Sequence, residues 1–242
     1  MSGHSKWSTI KRKKAVVDAK RGKMLTKMLR EITVAVKSGG ANIDGNARLK
    51  VAVQNAKMSS VPIDKIDAAI KKASGATDTE NYEEITYEGY APSGVACLIM
   101  TLTDNKNRTV AEVRHALNKH GGSLGSSGSV SYLFEDKGVI RVLKEVASEE
   151  ELYELVLEAR VDDISNEDDV WEIYTSPSSF LEVLEILNKN NIDCSGEIQK
   201  VPLTTVNVSG DDAQSVIKCL EALEDLDDVQ QVVTNFDTDD DI

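Results

Sequence analysis

Apolar residues recur at helical spacing through the first third of the chain. Between residues 24 and 36 they gather on one side of a helix, while Lys and Arg gather on the opposite side. Residues 38–40 then break the chain, Asn46 is placed to cap a second helix, and Pro62 suits the first turn of a third. This helical period predicts a small basic helical domain over residues 1–76.

Beyond residue 76 the pattern changes to short runs that are typical of strands. The pattern predicts a helix over residues 107–120 and strands over residues 82–87, 95–102 and 130–134. Residues 139–201 follow the order βαββαβ, and residues 203–236 add one more β-α-β unit. We therefore predict an α+β multidomain protein with an N-terminal helical bundle (residues 1–76), a split α/β domain (residues 77–136 plus 203–242) and an inserted ferredoxin-like βαββαβ domain (residues 137–202).

The charges of the chain are distributed unevenly. The whole chain has a formal net charge of −13, yet residues 1–72 hold 17 of its 28 Lys and Arg and only 5 of its 41 Asp and Glu. A nucleic acid would be attracted to this basic third and repelled by the remainder, which restricts how it can approach. A basic run that is only a solvated face is the alternative. The contiguous cations at residues 11–14 speak against it, because folding alone poorly explains their mutual repulsion.

The candidate nucleic-acid-binding residues lie in the first thirty positions. A short polar arm containing Trp7 precedes the first helix, and a Trp near a chain end is suited to stacking on a base. The alternative is that Trp7 staples the arm to that helix. The candidates are His4, Lys6, Trp7, Lys11, Arg12, Lys13, Lys14, Lys20, Arg21, Lys23, Lys27 and Arg30.

A second candidate surface is formed by cations in an acidic region. It comprises Lys106, Arg108, Arg114 and Lys119. The alternative for the segment over residues 103–109 is structural, because its Asp and Asn residues can cap the helix that follows. The glycine-rich loop at residues 121–128 lies after a helix and before a strand, the reverse of a phosphate-binding loop, so a flexible turn is expected there.

The sequence shows no pattern of residues that indicates an enzyme. No nucleophile is paired with a base, and the three histidines and three cysteines lack the spacing of a metal site. We expect no catalytic residue, no metal and no cofactor. The scattered cysteines indicate a reducing compartment, and no apolar run reaches the roughly 18 residues of a membrane span. A cytoplasmic protein without a membrane partner is therefore expected.

Several separated blocks carry a family resemblance. GHSKW, DAKRGK, NYEEITYEGYAPSGVA, LTDNKNRTVAEVRHALNKHGG and GSVSYLFEDKGVI follow one another from residue 3 to residue 140. In these blocks the chain resembles the YebC family of gene-expression factors, which includes the mitochondrial translational activator of cytochrome oxidase. KRKK stands where relatives often have a His, and VPIDKI where Met-Pro is common, but neither change removes a charge.

The resemblance implies the split-domain arrangement and two alternative functions. The first is a DNA-binding transcriptional regulator, and the second is a translation factor that binds ribosomal RNA at the ribosome. The residues leave both open. No short turn with a capped recognition helix is apparent in the sequence, and a basic arm suits irregular RNA equally well. A third alternative is an adaptor whose acidic domains dock basic proteins. The expected partner is nucleic acid, and the pattern does not give the oligomeric state.

Overall fold

The computed structural model describes Trp7, Ile10 and residues 18–75, 82–156, 159–167 and 169–239, with the side chains of residues 18–21 outside the described part. Its residues cluster into two compact units. Met1–Lys27, Thr79–Glu135 and Val201–Ile242 form the first unit, and Met28–Asp78 and Asp136–Lys200 form the second. The division into three domains with the boundaries given above stays a prediction.

The described elements follow one another in a mixed order. They are α1 (Asp18–Gly39), α2 (Ala47–Met58), α3 (Ile63–Ala73), β1 (Glu83–Tyr90), β2 (Ala96–Thr103), α4 (Lys106–Lys119), β3 (Ser123–Leu124), β4 (Phe134–Leu143), α5 (Glu149–Val156), β5 (Val161–Glu167), β6 (Val170–Thr175), α6 (Phe180–Lys189), β7 (Cys194–Pro202), β8 (Val206–Asn207), α7 (Gly210–Glu224), β9 (Val229–Thr234) and β10 (Phe236–Asp237). This order confirms the predicted α+β fold class, with helices at the N-terminus.

The first unit is built on a four-stranded sheet with the order β3-β1-β2-β9. β1 pairs with β2 antiparallel, and β2 pairs with β9 in the register Cys97↔Thr234. α4 and α7 contribute to the core on this sheet, which includes Ile99, Val113, Leu117, Leu220 and Phe236. Two segments far apart in the sequence therefore share one sheet and one hydrophobic core.

The second unit contains the βαββαβ segment. Its sheet has the order β5-β6-β4-β7, which is the strand order of a ferredoxin-like domain. α5 and α6 bury their apolar residues with those of the sheet, in a core that includes Ile140, Leu152, Ile173, Phe180 and Leu187. The predicted ferredoxin-like topology is confirmed, because each strand and helix occurs in the predicted order.

Asn46 joins α1 to α2 within the second unit. Its side-chain oxygen accepts a hydrogen bond from the Leu49 N–H at 3.1 Å, which caps α2 as predicted. Its amide nitrogen donates to the Ala35 and Gly40 carbonyls, at 2.7 and 2.8 Å. A Cβ at Gly39 would lie 2.6 Å from this amide, so the break after α1 requires a glycine. The cap thereby also fixes the turn.

The predicted strand over residues 130–134 is wrong. Ser131–Leu133 form a single 3₁₀ turn, and only Phe134 begins a strand, β4. The N–H groups of Val130 and Ser131 donate to the Glu88 carboxylate, at 2.8 and 2.9 Å. Because a side chain accepts these bonds, the two N–H groups are not available for strand pairing.

No helix in the described ranges is long and apolar enough to cross a membrane.

Candidate nucleic-acid interface

Most of the candidate basic residues at the N-terminus lie at or beyond the edge of the described part. Six of these candidates lie outside the described residues: His4, Lys6, Lys11, Arg12, Lys13 and Lys14. Lys20 and Arg21 belong to α1, but their side chains are outside the described part. Arg30 is half-buried. The basic segment, defined here as residues 1–30, therefore enters the structure through Trp7, Ile10 and the α1 residues from Gly22 onward.

Trp7 is a core residue of the first unit. Its side chain is 4% exposed and that of Ile10 is 2% exposed. Both belong to the hydrophobic cluster that includes Val113 of α4 and Ile217 of α7. In this position the indole does not offer an open face to a base, as the predicted stacking role requires. Its burial instead favours an anchoring role, in which Trp7 ties the basic segment to the first unit.

Two of the lysines that the sequence places on the polar side of the first helix contact the end of another helix. The Lys23 Nζ donates to the Asp225 carbonyl at 2.8 Å, and the Lys27 Nζ donates to the Glu224 carbonyl at 2.7 Å. Lys27 also lies 3.7 Å from the Glu224 carboxylate. The C-terminus of a helix carries partial negative charge, so both lysines stabilise α7 there. The cations on the polar side of α1 are therefore not all presented outward, because these two bind backbone carbonyls at the end of α7.

Two of the four cations of the second candidate surface are held in ion pairs. Lys106 lies 2.7 Å from Glu83, and Arg108 lies 2.8 Å from Asp104 and 2.6 Å from Asp228. Arg114 and Lys119, further along α4, are exposed. The predicted capping role of this segment is also present, because the Asn105 side chain accepts from the Arg108 N–H at 3.1 Å.

Asp228 is the centre of a buried polar cluster in the first unit. Its carboxylate accepts hydrogen bonds from the Thr103 and Thr109 hydroxyls, at 3.1 and 2.8 Å, in addition to the Arg108 guanidinium. Burial alone would raise the pKa of Asp228. The hydrogen bonds from Arg108, Thr109 and Thr103 outweigh this effect, and the pKa lies below its ordinary value. The cluster therefore favours the ionised carboxylate.

We expect Asp228→Asn to lower the free energy of unfolding at pH 7 by about 1.5–3 kcal/mol, the worth of hydrogen bonds to a charged group. Because the folded-state pKa of Asp228 is lowered, its stabilisation is complete above the unfolded pKa and is lost as the pH falls through the folded pKa. Urea unfolding at pH 7 and at several values between about 5 and 3 checks this. The parent and the variant should converge in stability on acidification. A difference that stays constant over this range would contradict the assignment.

A buried carboxylate holds one end of the glycine-rich loop through hydrogen bonds. The Glu88 carboxylate, in a residue that is 8% exposed, accepts from the Gly128 N–H at 2.7 Å as well as from Val130 and Ser131. Burial would raise the pKa of Glu88, but the backbone N–H groups outweigh burial and lower it. These hydrogen bonds tie the end of the predicted turn to β1. Sequence reasoning missed Glu88, whose signal is an acidic residue followed by a glycine inside a strand.

Two amide side chains on α2, also missed from the sequence, bind it to the ferredoxin-like segment of the second unit. The Asn55 amide donates to the Gly196 carbonyl at 2.8 Å, and its oxygen accepts from the Gly196 N–H at 3.0 Å. The Gln54 amide donates to the Cys194 carbonyl at 2.7 Å. Within the second unit α2 is thus a docking helix. No local sequence pattern distinguishes such amides from ordinary surface residues.

α3 follows α2 after a short turn that the sequence did not indicate. Only four residues, 59–62, separate the two helices, and Ser60 has the left-handed φ of 58°. Pro62 precedes α3 without a side-chain capping bond. The outward face of α3 exposes Lys65 and Lys71 together with Asp64 and Asp67. The turn resembles that of a helix-turn-helix, but the outward face mixes both signs of charge.

The described residues hold no group of three or more His, Cys, Asp or Glu side chains that could bind a metal ion. Cys97, Cys194 and Cys219 are all buried and free. Burial raises the pKa of the Cys97 thiol to about 12, and those of Cys194 and Cys219 to about 11. These thiols stay protonated near neutral pH, which makes them weak nucleophiles.

The architecture defines a class: a multidomain α+β protein with basic helices at its N-terminus. The chain belongs to the TACO1/YebC family. Residues 5–76 match the TACO1/YebC protein N-terminal domain, and residues 82–236 match the TACO1/YebC second and third domain. The family resemblance found in the sequence is thereby confirmed.

Similar proteins occur in several bacteria. A protein of Syntrophus aciditrophicus is 49% identical over 100% of this chain and 98% of its own length. One of Aquifex aeolicus is 49% identical over 98% of this chain and 96% of its own length. Both are named probable transcriptional regulatory proteins. The crystal structure of a conserved hypothetical protein from Aquifex aeolicus matches with a TM-score of 0.87 and 48% identity, covering 94% of this chain and 95% of the other.

Proposed function

We propose that this chain is a nucleic-acid-binding regulator of gene expression that binds duplex DNA through its basic segment, without an enzymatic step. The observation that carries the proposal is the segregation of charge: residues 1–72 hold 17 Lys and Arg against 5 Asp and Glu, in a chain of net charge −13. Cations gathered in this way release counterions when they meet phosphates, which is the main source of affinity for nucleic acids. The names of the relatives support transcription as the process.

The anchoring of Trp7 and Ile10 supports a tethered mode of binding. Both residues are buried in the core of the first unit, and Lys6 and Lys11 are their covalent neighbours. A cation tethered near a folded surface loses less conformational entropy on binding than one at the end of a long free arm. The anchors therefore direct the basic segment toward a target that lies against the first unit.

RNA is the second candidate target, and one observation favours it. A helix that enters the major groove of DNA brings its outward face close to phosphates and base edges. The outward face of α3 exposes Asp64 and Asp67, and carboxylates in that position would be repelled by the backbone. A basic segment that binds irregular RNA needs no such helix. In this case the chain would act in translation.

The test is a direct comparison of both targets with the full chain. A DNA duplex and a folded RNA of equal length are titrated at several salt concentrations. We expect duplex binding with a log-log salt slope near −5 that depends little on the sequence, because about five or six of the cations reach phosphates at once.

Two other results of these titrations would contradict the proposal that duplex DNA is the target. Tighter binding to the RNA at every salt concentration would replace DNA by RNA as the target. An absence of salt-dependent binding to either nucleic acid would overturn the proposal altogether and would favour an adaptor that docks basic proteins.

A further inference from the structure

The outward side of α4 collects most of the positive charge found in the later part of the first unit. Residues 82–135 and 201–239 contain five Lys and Arg: Lys106, Arg108, Arg114 and Lys119, which all lie on α4, and Lys218 on α7. The same segments are rich in Asp and Glu, so the positive charge on α4 contrasts with the negative charge of the segments around it. An ordinary solvated face of an acidic protein would not be expected to exclude acids in this way.

Six of the exposed residues of α4 share one side of the helix. Helical spacing places them on the side opposite Val113 and Leu117, which are fully buried. We call this surface the α4 face; it consists of Asn107, Ala111, Arg114, His115, Asn118 and Lys119, all exposed. The one acidic residue within α4, Glu112, is half-buried at its side.

The chemistry of the α4 face suits a phosphate backbone. Because Lys106 and Arg108 are engaged with carboxylates, Arg114 and Lys119 supply its exposed positive charge. A guanidinium binds phosphate through two parallel hydrogen bonds, and Asn and His side chains add further donors. Ala111, near the centre of the face, is small enough to let a strand approach closely.

The glycine-rich loop extends the α4 face beyond the end of the helix. The N–H groups of Gly121 and Gly122 donate to the Asn118 and Leu117 carbonyls, at 3.3 and 2.9 Å, which ties the loop to the last turn of α4. Glu88 holds its far end through the Gly128 N–H. The loop thus continues the surface with a backbone that hydrogen bonds hold, and at Gly128 the space that a side chain would fill is open.

The inner side of α4 connects this surface to the basic segment. Val113, Ala116 and Leu117 belong to the same hydrophobic core as Trp7 and Ile10. The anchors of the basic segment and the α4 face are therefore parts of one folded unit. A nucleic-acid strand that is drawn to the basic segment meets a unit in which four of the five Lys and Arg of residues 82–135 and 201–239 lie on α4.

We propose that the α4 face is a second nucleic-acid contact, which binds the phosphate backbone of the same molecule that the basic segment engages. This inference rests on the proposed function. It differs from it in naming a surface outside the basic segment and in assigning it to backbone binding, so that it adds affinity on every nucleic-acid sequence rather than reading bases.

The experiment measures duplex binding by the full chain over a range of salt. Replacing Arg114 and Lys119 together by Ala should weaken binding on every sequence and flatten the log-log slope by up to about 2 units. Arg114→Lys should retain most of the slope, because it keeps the charge. The matched control is Lys218→Ala, which removes one exposed cation of the same unit outside α4 and should leave the slope unchanged.

A second variant keeps the test decisive if the double variant unfolds. Asn118→Asp is nearly isosteric and places a negative charge within the α4 face while both cations remain, so it should also weaken binding, with an unfolding curve close to that of the parent. Parental affinity and slope in these variants would overturn the inference and leave the proposed function intact. A change in slope per removed cation that is equal in the double variant and in Lys218→Ala would likewise overturn it. If the parent chain binds no nucleic acid, both the inference on the α4 face and the proposed function are wrong.

Discussion

Trp7→Ala is expected to lower the free energy of unfolding by about 3–5 kcal/mol, the usual cost of removing a large aromatic side chain from a core. Trp7 is 4% exposed and shares its core with residues of α4 and α7. Urea unfolding followed by circular dichroism measures the change. The variant should also bind nucleic acid more weakly, because the basic segment loses its attachment to the first unit.

Trp7→Phe is the control for this prediction, since it keeps an apolar ring in the core and should recover much of the stability. The opposite pattern would restore the stacking role expected from the sequence. In that pattern Trp7→Ala would leave the unfolding midpoint almost unchanged while binding fell by about 1–3 kcal/mol, the worth of one base stacked on an aromatic ring.

Replacing Lys11, Arg12, Lys13 and Lys14 together by Ala is expected to have the largest effect on nucleic-acid binding. If all four contact phosphates, the log-log salt slope should flatten by about 3 to 4 units, and affinity should fall on every sequence tested. Lys23 and Lys27 are bound to the end of α7, so they do not replace these contacts without breaking their own. Fluorescence anisotropy with a labelled duplex at several salt concentrations gives the slope.

The control exchanges Lys and Arg at the same four positions, which keeps the charge and should keep the slope. Stability offers an independent check. Removing four adjacent cations relieves their repulsion, so the alanine variant should be at least as stable as the parent. An unchanged slope in a folded alanine variant would show that these residues form a solvated face and not a phosphate contact.

The basic third of the chain is divided between the two units. Residues 28–78 belong to the second unit and residues 1–27 to the first. An isolated fragment covering the basic third would expose Trp7, Ile10 and the docking side of α2, which carries Gln54 and Asn55. A failure of that fragment to bind could then reflect misfolding. Substitutions in the full chain avoid this ambiguity.

Local patterns in the sequence determined the secondary structure and the class of fold. The apolar period of α2, the Asn46 cap and the βαββαβ order were all readable, because each depends on residues that are close together in the chain. The excess of cations in residues 1–72 was equally readable, since net charge does not depend on the fold. Resemblance of separate sequence blocks was enough to identify the family.

The strand predicted over residues 130–134 is a case in which the local sequence pattern did not predict the backbone conformation. Its apolar residues satisfy the pattern of a strand, but their N–H groups are bound by Glu88, more than 40 residues earlier in the case of Val130. A carboxylate that collects backbone donors from a distant loop leaves no periodic mark on that loop. The pattern of apolar side chains therefore correctly predicted that residues of this segment are buried, but it wrongly predicted that their backbone pairs with a strand.

The sequence by itself determined that this protein has a basic end, a ferredoxin-like segment and an acidic remainder. Only the tertiary structure decided what individual residues of the candidate site do. It buried Trp7, directed Lys23 and Lys27 to carbonyls about 200 residues away, and separated the paired Arg108 from the exposed Arg114. The physical reason is that charge and periodicity are properties of the chain itself, whereas the burial and the partners of a side chain depend on which distant segments pack against it.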